Sequence, residues 1–186
     1  MNQFRLEPPP HLISSTDIIS KYGTIRLNWF EQAVIRVSIG AFEPADRRLA
    51  IRRFMPPHPE GQHLVTQILA YFQGKKIDFA QPPFERLGTD FQVKVWHAIA
   101  KIPYGRCLSY GNLAQVIGVP ADNARAVANA CGQNPLLTLI PCHRVVASTG
   151  VLTGYSAGIP WKQALLELEG VPIQNGRVNI PQKRPN

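Results

Sequence analysis

Apolar and polar residues alternate through much of the N-terminal half of the chain, as they do in strands with one buried face. Residues 22–30 and 33–39 are rich in β-branched and aromatic side chains, and the polar pair Glu31-Gln32 between them is typical of a hairpin turn. Residues 13–19 form a further candidate strand. The N-terminal half is therefore predicted to contain a small antiparallel sheet.

Helical spacing replaces this alternation further along the chain. Apolar residues recur every three or four positions over residues 64–72, and Gly74 ends the segment. Residues 75–88 contain a double proline and little periodicity. We therefore place a domain boundary at the end of this linker, so that an N-terminal α/β domain with its linker spans residues 1–88.

The following stretch, residues 89–171, reads as a second, helical domain. Thr89 is a predicted N-cap with Gln92 as its capping-box partner. A second helix begins after Ser109, and a third covers about residues 122–132. Two short helices joined by a tight turn that contains glycine predict a helix-turn-helix. Many such helix pairs bind nothing, so the pattern alone leaves DNA binding open.

The third helix is rich in small residues. Ala124, Ala126 and Ala128 alternate with larger side chains, among them Arg125. Small side chains let a helix approach another surface closely. That surface is either a neighbouring helix or a DNA groove, and the spacing does not decide between them.

The C-terminal part contains a loop, a helix and a tail. Residues 154–158 include two glycines and predict a flexible loop. Pro160 begins a last helix that ends at Gly170. Residues 172–186 contain several prolines and are predicted to be a largely unpacked tail.

Charge and cysteine content narrow the classes of function. The chain has 186 residues and a formal net charge of +8, which favours a polyanionic partner such as nucleic acid. A soluble protein that is basic without such a partner is the alternative. Its three cysteines are an odd number without CxxC spacing, which fits a reducing cytosol and predicts no disulfide framework.

Targeting signals are not found in the sequence. The N-terminus lacks the apolar core of a signal peptide, and no run of about 18 apolar residues predicts a membrane span. We expect a cytoplasmic protein without metal or cofactor.

Cys142 is the candidate nucleophile of the chain. Residues 140–146 read as a short buried strand, yet His143 and Arg144 inside it are polar and need partners if buried. A thiolate is a nucleophile, a histidine can take its proton, and a carboxylate can orient that histidine. Glu167 and Glu169 are both candidates for the acid. Neighbouring side chains of a strand point to opposite faces, so contact between Cys142 and His143 requires a turn or a bridging water. A structural cysteine beside a surface histidine is the alternative.

Several motifs in register resemble the O6-alkylguanine-DNA alkyltransferases, the methylated-DNA–protein-cysteine methyltransferases. The resemblance covers residues 89–171 closely. Its motifs are Ser109-Tyr110, Arg125-Ala126-Val127, Asn134-Pro135, Ile140-Pro141-Cys142-His143-Arg144-Val145-Val146, Gly154-Tyr155-Ser156, Lys162 and Leu165-Leu166 through Glu169-Gly170.

The resemblance implies an α+β protein with two domains, an N-terminal domain with an antiparallel sheet and helix and a winged-helix-like C-terminal domain with the helix-turn-helix. It implies direct DNA repair, in which an alkylated guanine is flipped out of the duplex and its O6-alkyl group moves to the protein's own cysteine in a single turnover. The partner is double-stranded DNA that contains O6-alkylguanine, bound through the minor groove. We expect a monomer; activity on O4-alkylthymine and cooperativity on DNA stay open.

The same resemblance implies a role for each matching residue. Cys142 is the nucleophile, His143 deprotonates it through a water, and Glu169 rather than Glu167 orients the histidine. Tyr110 supports base rotation and guanine protonation, and Arg125 fills the space that the base leaves. The remaining implied site residues are Asn134 at the active-site turn and Gly111, Ala124, Ala126, Arg144, Ser148, Tyr155, Ser156 and Lys162 around the DNA or substrate.

Departures from the family pattern are few. Ala157 stands where a second loop glycine is common, and Gly111 and Phe91 lie at DNA-contact positions that are polar in some relatives.

Three other classes of protein are alternatives. A helix-turn-helix regulator would explain the charge but not Cys142, and alkyltransferase-like binders lack that cysteine. A cysteine hydrolase would explain the Cys–His pair but predicts turnover without DNA.

Overall fold

A four-stranded antiparallel sheet forms the N-terminal part of the protein, with the strand order β3-β2-β1-β4. The computed structural model describes residues 8–40, 50–53, 56, 58–79 and 84–180. The predicted hairpin and the further candidate strand are both confirmed, since the alternating apolar positions pair in register. The strands are β1 (Ile13–Ser20), β2 (Gly23–Phe30), β3 (Ala33–Ile39) and β4 (Ala50–Arg53).

One helix, α1 (Pro59–Phe72), packs against this sheet and confirms the predicted periodicity. It begins earlier than the apolar spacing indicates, because the His58 side chain caps it by accepting a hydrogen bond from the Gly61 amide at 3.0 Å. Val65 and Ile68 of α1 are buried in the same cluster as the apolar residues of the strands. Burying each such side chain contributes about 1.5–3 kcal/mol and holds the helix on the sheet.

Four further α-helices lie in residues 84–180, the part of the C-terminal half that the structure describes, and all were predicted. Thr89 and Gln92 form the expected capping box, and Ser109 accepts the Asn112 amide at 3.1 Å. The indole of Trp96 donates to the Ala130 carbonyl at 2.9 Å and joins two of these helices. None of the helices within the described ranges is long and apolar enough to cross a membrane. The helices are α2 (Asp90–Ala100), α3 (Tyr110–Val116), α4 (Ala124–Gly132) and α5 (Ile159–Leu168).

Residues 140–146 are not one strand, so that prediction was wrong. Cys142–Arg144 form a turn of 3₁₀ helix, and only Val145–Val146 (β6) pair, in parallel, with β5 (Leu108–Ser109). The cause is local: the Cys142 amide donates to the Ile140 carbonyl at 2.8 Å, and the Arg144 amide to the Pro141 carbonyl at 2.9 Å. These bonds tighten the backbone into a turn, which changes where the Cys142 and His143 side chains can point.

The predicted unpacked tail is also wrong over its first part. Ile173–Gln174 (β7) and Arg177–Val178 (β8) form a hairpin. Val178 is buried, and its amide donates to the Gly150 carbonyl at 2.9 Å. The apolar residues at 171, 173, 178 and 180 belong to a small cluster that also contains Leu166 of the last helix. The prediction relied on the number of prolines, which gives no information about this packing. Residues 181–186 lie outside the described part of the chain.

Apolar packing continues across the predicted boundary at residue 88, since one core cluster contains residues of the sheet and of all five helices. Phe84 in the predicted linker is fully buried against Trp96. The amide of Val37 in β3 donates to the Pro135 carbonyl at 2.8 Å, and the Trp161 indole donates to the Gly40 carbonyl at 2.9 Å. The N-terminal sheet therefore supports the segment that leads to Cys142.

Candidate active site

Cys142 lies at the start of the 3₁₀ turn and is 4% exposed. Asn134 holds this turn from the end of α4. Its side-chain amide donates to the Ile140 carbonyl at 2.8 Å and to the Cys142 sulfur at 3.1 Å, while its Oδ1 accepts the Leu136 amide at 2.9 Å. A donor aimed at sulfur stabilises a thiolate more than a thiol. Asn134 therefore shapes the loop and favours ionisation of the cysteine.

The second member of the site, His143, is completely buried and bonded to a carboxylate. Its Nε2 lies 2.9 Å from Oε1 of Glu169. Glu167, the other candidate acid, is exposed and accepts a hydrogen bond from Gln163 instead. The structure thus brings Glu169 to the histidine and leaves Glu167 outside.

The charge of Glu169 determines which histidine nitrogen carries the proton. Burial opposes ionisation of Glu169, but His143 and Arg144 outweigh it and hold the pKa of the carboxyl well below its usual range. An ionised carboxylate only accepts hydrogen bonds, so Nε2 of His143 must donate. In the neutral imidazole, Nδ1 is then the acceptor. Nδ1 is buried and has no hydrogen-bond partner among the described residues, so it is free to receive a proton.

Arg144 faces the interior of the protein. Its guanidinium donates to both oxygens of Glu169, with Nε at 2.9 Å from Oε2 and Nη2 at 2.8 Å from Oε1, and it also donates to the Ile102 carbonyl. The side chain is 6% exposed. In the free protein the guanidinium therefore stabilises the charge of Glu169. Contact between Arg144 and DNA or substrate stays a prediction.

The resting protonation of the pair follows from burial. Burial raises the pKa of the Cys142 thiol, and the Asn134 hydrogen bond and the Lys162 charge act against this. Burial also lowers the pKa of His143, with Glu169 acting against it. At neutral pH the site therefore holds a thiol and a neutral imidazole, and charges develop only when the proton moves.

Lys162 of α5 is fully buried and ties the loop beside the site to the protein. Its ammonium donates to the carbonyls of Val145 at 2.6 Å and Thr153 at 2.7 Å. Burial lowers its pKa to about 8. The interior position suits a residue that supports the pocket's loop and contributes positive charge near Cys142.

Two tyrosines flank the site. Tyr110 at the start of α3 is half-buried, and its hydroxyl lies 3.4 Å from the Thr153 carbonyl. The ring of Tyr155 lies 6.5 Å from the imidazole of His143. The hydroxyl of Tyr155 is buried without a partner within the described ranges. Both tyrosines therefore lie next to the site, and their contact with a substrate stays a prediction.

The helix-turn-helix presents a different surface, on the outside of the protein. Arg125 and Ala126 are exposed and Ala124 half-buried on α4, while Val127 and Ala130 pack inward. Half-buried Gly111 lies on α3, against the turn before α4. The predicted positions Ser148 and Ser156 are exposed on loops around the site. This face, which the resemblance assigns to DNA, thus carries small residues and the basic side chain of Arg125.

Two contributors to the site were missed in the sequence. The Tyr71 hydroxyl donates to Oε1 of Glu169 at 2.7 Å, and the Gly105 amide donates to Oε2 at 3.0 Å. Tyr71 carried a usable signal: it lies at an apolar position of α1 beside Phe72, and a buried phenol usually has a hydrogen-bond partner. The Gly105 amide carried none, because a backbone donor is not visible in a sequence.

Comparison with known proteins gives this arrangement a family. Residues 90–171 match the family model described as "6-O-methylguanine DNA methyltransferase, DNA binding domain". A Mycobacterium tuberculosis methylated-DNA–protein-cysteine methyltransferase is 50% identical over 105 residues, which cover 56% of this chain and 62% of that protein. The inducible methyltransferase of Bacillus subtilis is 41% identical over 128 residues, which cover 69% of this chain and 70% of the relative.

Solved structures agree. The crystal structure of Mycobacterium tuberculosis OGT in complex with DNA matches with a TM-score of 0.65 and 37% identity, over 83% of this chain and 92% of that one. The fold is thus that of the methyltransferase structures it matches. The chain belongs to the methylated-DNA–protein-cysteine methyltransferase family. The sequence match to the mycobacterial relative spans under two thirds of that relative's length.

Proposed function

We propose that this protein repairs DNA by moving an alkyl group from O6-alkylguanine in duplex DNA to its own Cys142. The observation that carries the proposal is the buried chain of contacts from Asn134 to Cys142 and from His143 to Glu169, next to an exposed helix-turn-helix. A buried thiol whose neighbour in the sequence is a histidine can pass its proton to that histidine through a water, and the thiolate is then a suitable alkyl acceptor. The family membership supplies the substrate class.

The transfer itself is a displacement at carbon. Sγ of Cys142 attacks the alkyl carbon, an S–C bond forms, and the C–O6 bond breaks with its electron pair left on the guanine. The thiol proton passes through a water to Nδ1 of His143, and the leaving guanine takes up one proton from solvent. The imidazolium later returns its proton to solvent, so that the net change moves one proton from the thiol to the guanine. Glu169 stabilises the imidazolium that forms. The product thioether is stable, so each protein reacts once.

Tyr110 is proposed to assist the leaving guanine. Burial raises the pKa of its phenol, with the nearby thiols of Cys131 and Cys142 acting in the same direction. The hydroxyl therefore stays protonated and can donate a hydrogen bond to the base. Tyr155, Ser156 and Gly154 would form one wall of the guanine pocket, with their loop held by Lys162.

Access to the target atom requires that the base leave the stack, because O6 lies inside the duplex. We propose that α4 docks into the minor groove and that Arg125 fills the vacated space. Ala124 and Ala126 permit the close approach, Gly111 and Ser148 contact the backbone, and the charge of +8 supplies attraction to phosphates. The domain division at residue 88, a cytoplasmic location and a monomeric state belong to the same proposal.

The proposal is tested with duplex DNA that carries a radiolabelled methyl group on O6 of guanine. Label should appear on the wild-type protein and be absent from Cys142→Ser, while both proteins bind the duplex with similar affinity. A regulator would bind without any transfer. A hydrolase would release label continuously, and its activity would not depend on DNA. A parallel duplex with O4-methylthymine decides whether that base is a second substrate.

A further inference from the structure

The N-terminal helix α1 contacts the buried pair of His143 and Glu169 beside Cys142. We call this pair the proton relay. Tyr71, in the last turn of α1, donates from its hydroxyl to Oε1 of Glu169 at 2.7 Å. The same hydroxyl lies 3.4 Å from Nε2 of His143. The side chain has no exposed surface. A residue of the sheet-and-helix half thus touches two members of a relay that belongs to the other half.

The tyrosine ring is held in place by aromatic neighbours. Phe72, Phe79 and Tyr104 lie with their ring centroids 5.4, 5.6 and 6.1 Å from that of Tyr71. Edge-to-face packing of this kind fixes both the position and the plane of a ring. The hydroxyl is therefore aimed at the carboxylate and has little freedom to turn away.

Oxygen Oε1 of Glu169 is shared between several donors. His143 Nε2 lies at 2.9 Å, Arg144 Nη2 at 2.8 Å and the Tyr71 hydroxyl at 2.7 Å. Each donor takes up part of the negative charge on that oxygen. The more charge Tyr71 takes up, the less remains to stabilise an imidazolium at His143.

We propose that Tyr71 is a positioning residue that sets the proton affinity of His143 by sharing Oε1 of Glu169 with it. Through this hydroxyl, the N-terminal helix weakens the proton acceptor of Cys142 and keeps the imidazole neutral at rest. The effect of Tyr71 on methyl transfer rests on the proposed function. Its effect on the protonation of His143 does not. The charges of Arg144 and Lys162 also lower the pKa of His143. The other titratable groups near the imidazole are the Cys142 thiol, next to it in the sequence, and Tyr155, whose ring lies 6.5 Å away.

The test compares Tyr71→Phe with Tyr104→Phe as a matched control. Tyr104 donates to the Leu168 carbonyl at 3.0 Å and shares the aromatic cluster, so its variant also loses one phenol hydrogen bond without removing a donor from Glu169. The pH dependence of the His143 imidazole is followed by NMR in the free protein. The pH dependence of methyl transfer is measured alongside it.

Loss of the Tyr71 hydroxyl should raise the pH at which His143 becomes protonated by about one unit, since one unit corresponds to about 1.4 kcal/mol, the scale of one hydrogen bond to a charged group. The acid limb of the transfer profile should move to higher pH by the same amount, so that transfer in Tyr71→Phe fails earlier as the pH falls. Tyr104→Phe should titrate as the wild type does.

Equal titration of His143 in Tyr71→Phe and in the wild type, including no titration in either before unfolding, overturns the proposal. The NMR readout needs no substrate, so it decides the role of Tyr71 even if the wild type transfers no methyl group and the proposed function fails. If Tyr71→Phe does not fold, 3-fluorotyrosine at position 71 takes its place. That stronger donor should shift the His143 titration to lower pH, and an unchanged titration counts against the proposal.

Discussion

The side-chain amide of Asn134 donates a hydrogen bond to the sulfur of Cys142 at 3.1 Å, across the turn that separates them. The same amide holds the Ile140 carbonyl, and its Oδ1 accepts the Leu136 amide. One buried residue thus closes the loop and prepares the thiol for ionisation. The same side chain therefore fixes the geometry of the loop and affects the pKa of the thiol.

Replacing Asn134 with alanine should slow methyl transfer and destabilise the fold. The sulfur loses its donor, which raises the thiol pKa, and the buried Leu136 amide loses its partner, while the Ile140 carbonyl keeps the Cys142 amide. Each unsatisfied group costs about 1–3 kcal/mol. Transfer rates and urea unfolding would measure the two effects. Gln133→Ala, at the exposed neighbour, should leave both close to wild type, and an equal loss there would contradict the role of Asn134.

Glu169→Gln should be strongly destabilising at neutral pH, because it leaves the buried guanidinium of Arg144 without its counter-charge. Breaking a buried pair in this way costs about 3–5 kcal/mol. The relay should also lose most of its activity, since a neutral amide cannot stabilise the imidazolium. Chemical denaturation at pH 7 measures the first effect and single-turnover transfer the second.

The same carboxylate predicts the acid sensitivity of the protein. Its pKa is lowered in the folded state, so the stability it contributes is present in full above its unfolded-state pKa of about 4.3 and is lost as the pH falls through the lowered folded value. The wild type should therefore lose stability more steeply than Glu169→Gln below about pH 5. Parallel slopes in the two proteins would show that the charge of Glu169 contributes nothing.

Arg125→Ala should weaken repair of duplex DNA far more than reaction with free O6-benzylguanine. The arginine is exposed on α4, away from the buried sulfur, and its proposed work is to fill the duplex after base extrusion. Lys75→Ala removes one exposed positive charge elsewhere and serves as the control. Equal losses on the duplex and the free base would exclude the extrusion role.

Methylation of Cys142 should lower the melting temperature. The sulfur is packed among buried neighbours, and forcing one more methyl group into such a site costs about 1–3 kcal/mol. For a chain of this length that corresponds to a fall of roughly 2–12 °C. Calorimetry of the protein before and after reaction with a methylated duplex provides the comparison. A melting temperature that stays the same or rises would contradict the prediction.

Local patterns in the sequence were sufficient for most of the secondary structure. The hairpin around Glu31-Gln32 and the capping box of Thr89 and Gln92 depend on neighbours a few residues apart, and both are confirmed. The 3₁₀ turn at Cys142 was missed because valines and a proline also suit a strand. The packed hairpin at residues 173–178 was missed because its partners, such as Gly150, are distant in the sequence.

The site was predictable only in part, because its contacts join residues that are far apart in the sequence. Residue types identified Cys142 and His143, but the choice of Glu169 over Glu167 depended on resemblance, since a helix end cannot be placed near a distant turn from spacing alone. The DNA or substrate role of Arg144 also came from the resemblance, and its contacts with Glu169 join residues 25 positions apart, which no local pattern shows. The contact from Tyr71 crosses between the two halves of the chain, and no local pattern specifies such a contact.

The most direct test of the central claim is the intact mass of the protein after incubation with duplex DNA that contains O6-methylguanine, followed by peptide mapping. The account predicts a gain of one methyl group, about 14 Da, on the peptide that contains Cys142, saturating at one per protein because the nucleophile is consumed. Tight binding to the lesion without any gain in mass would contradict it and would leave Cys142 as a structural residue.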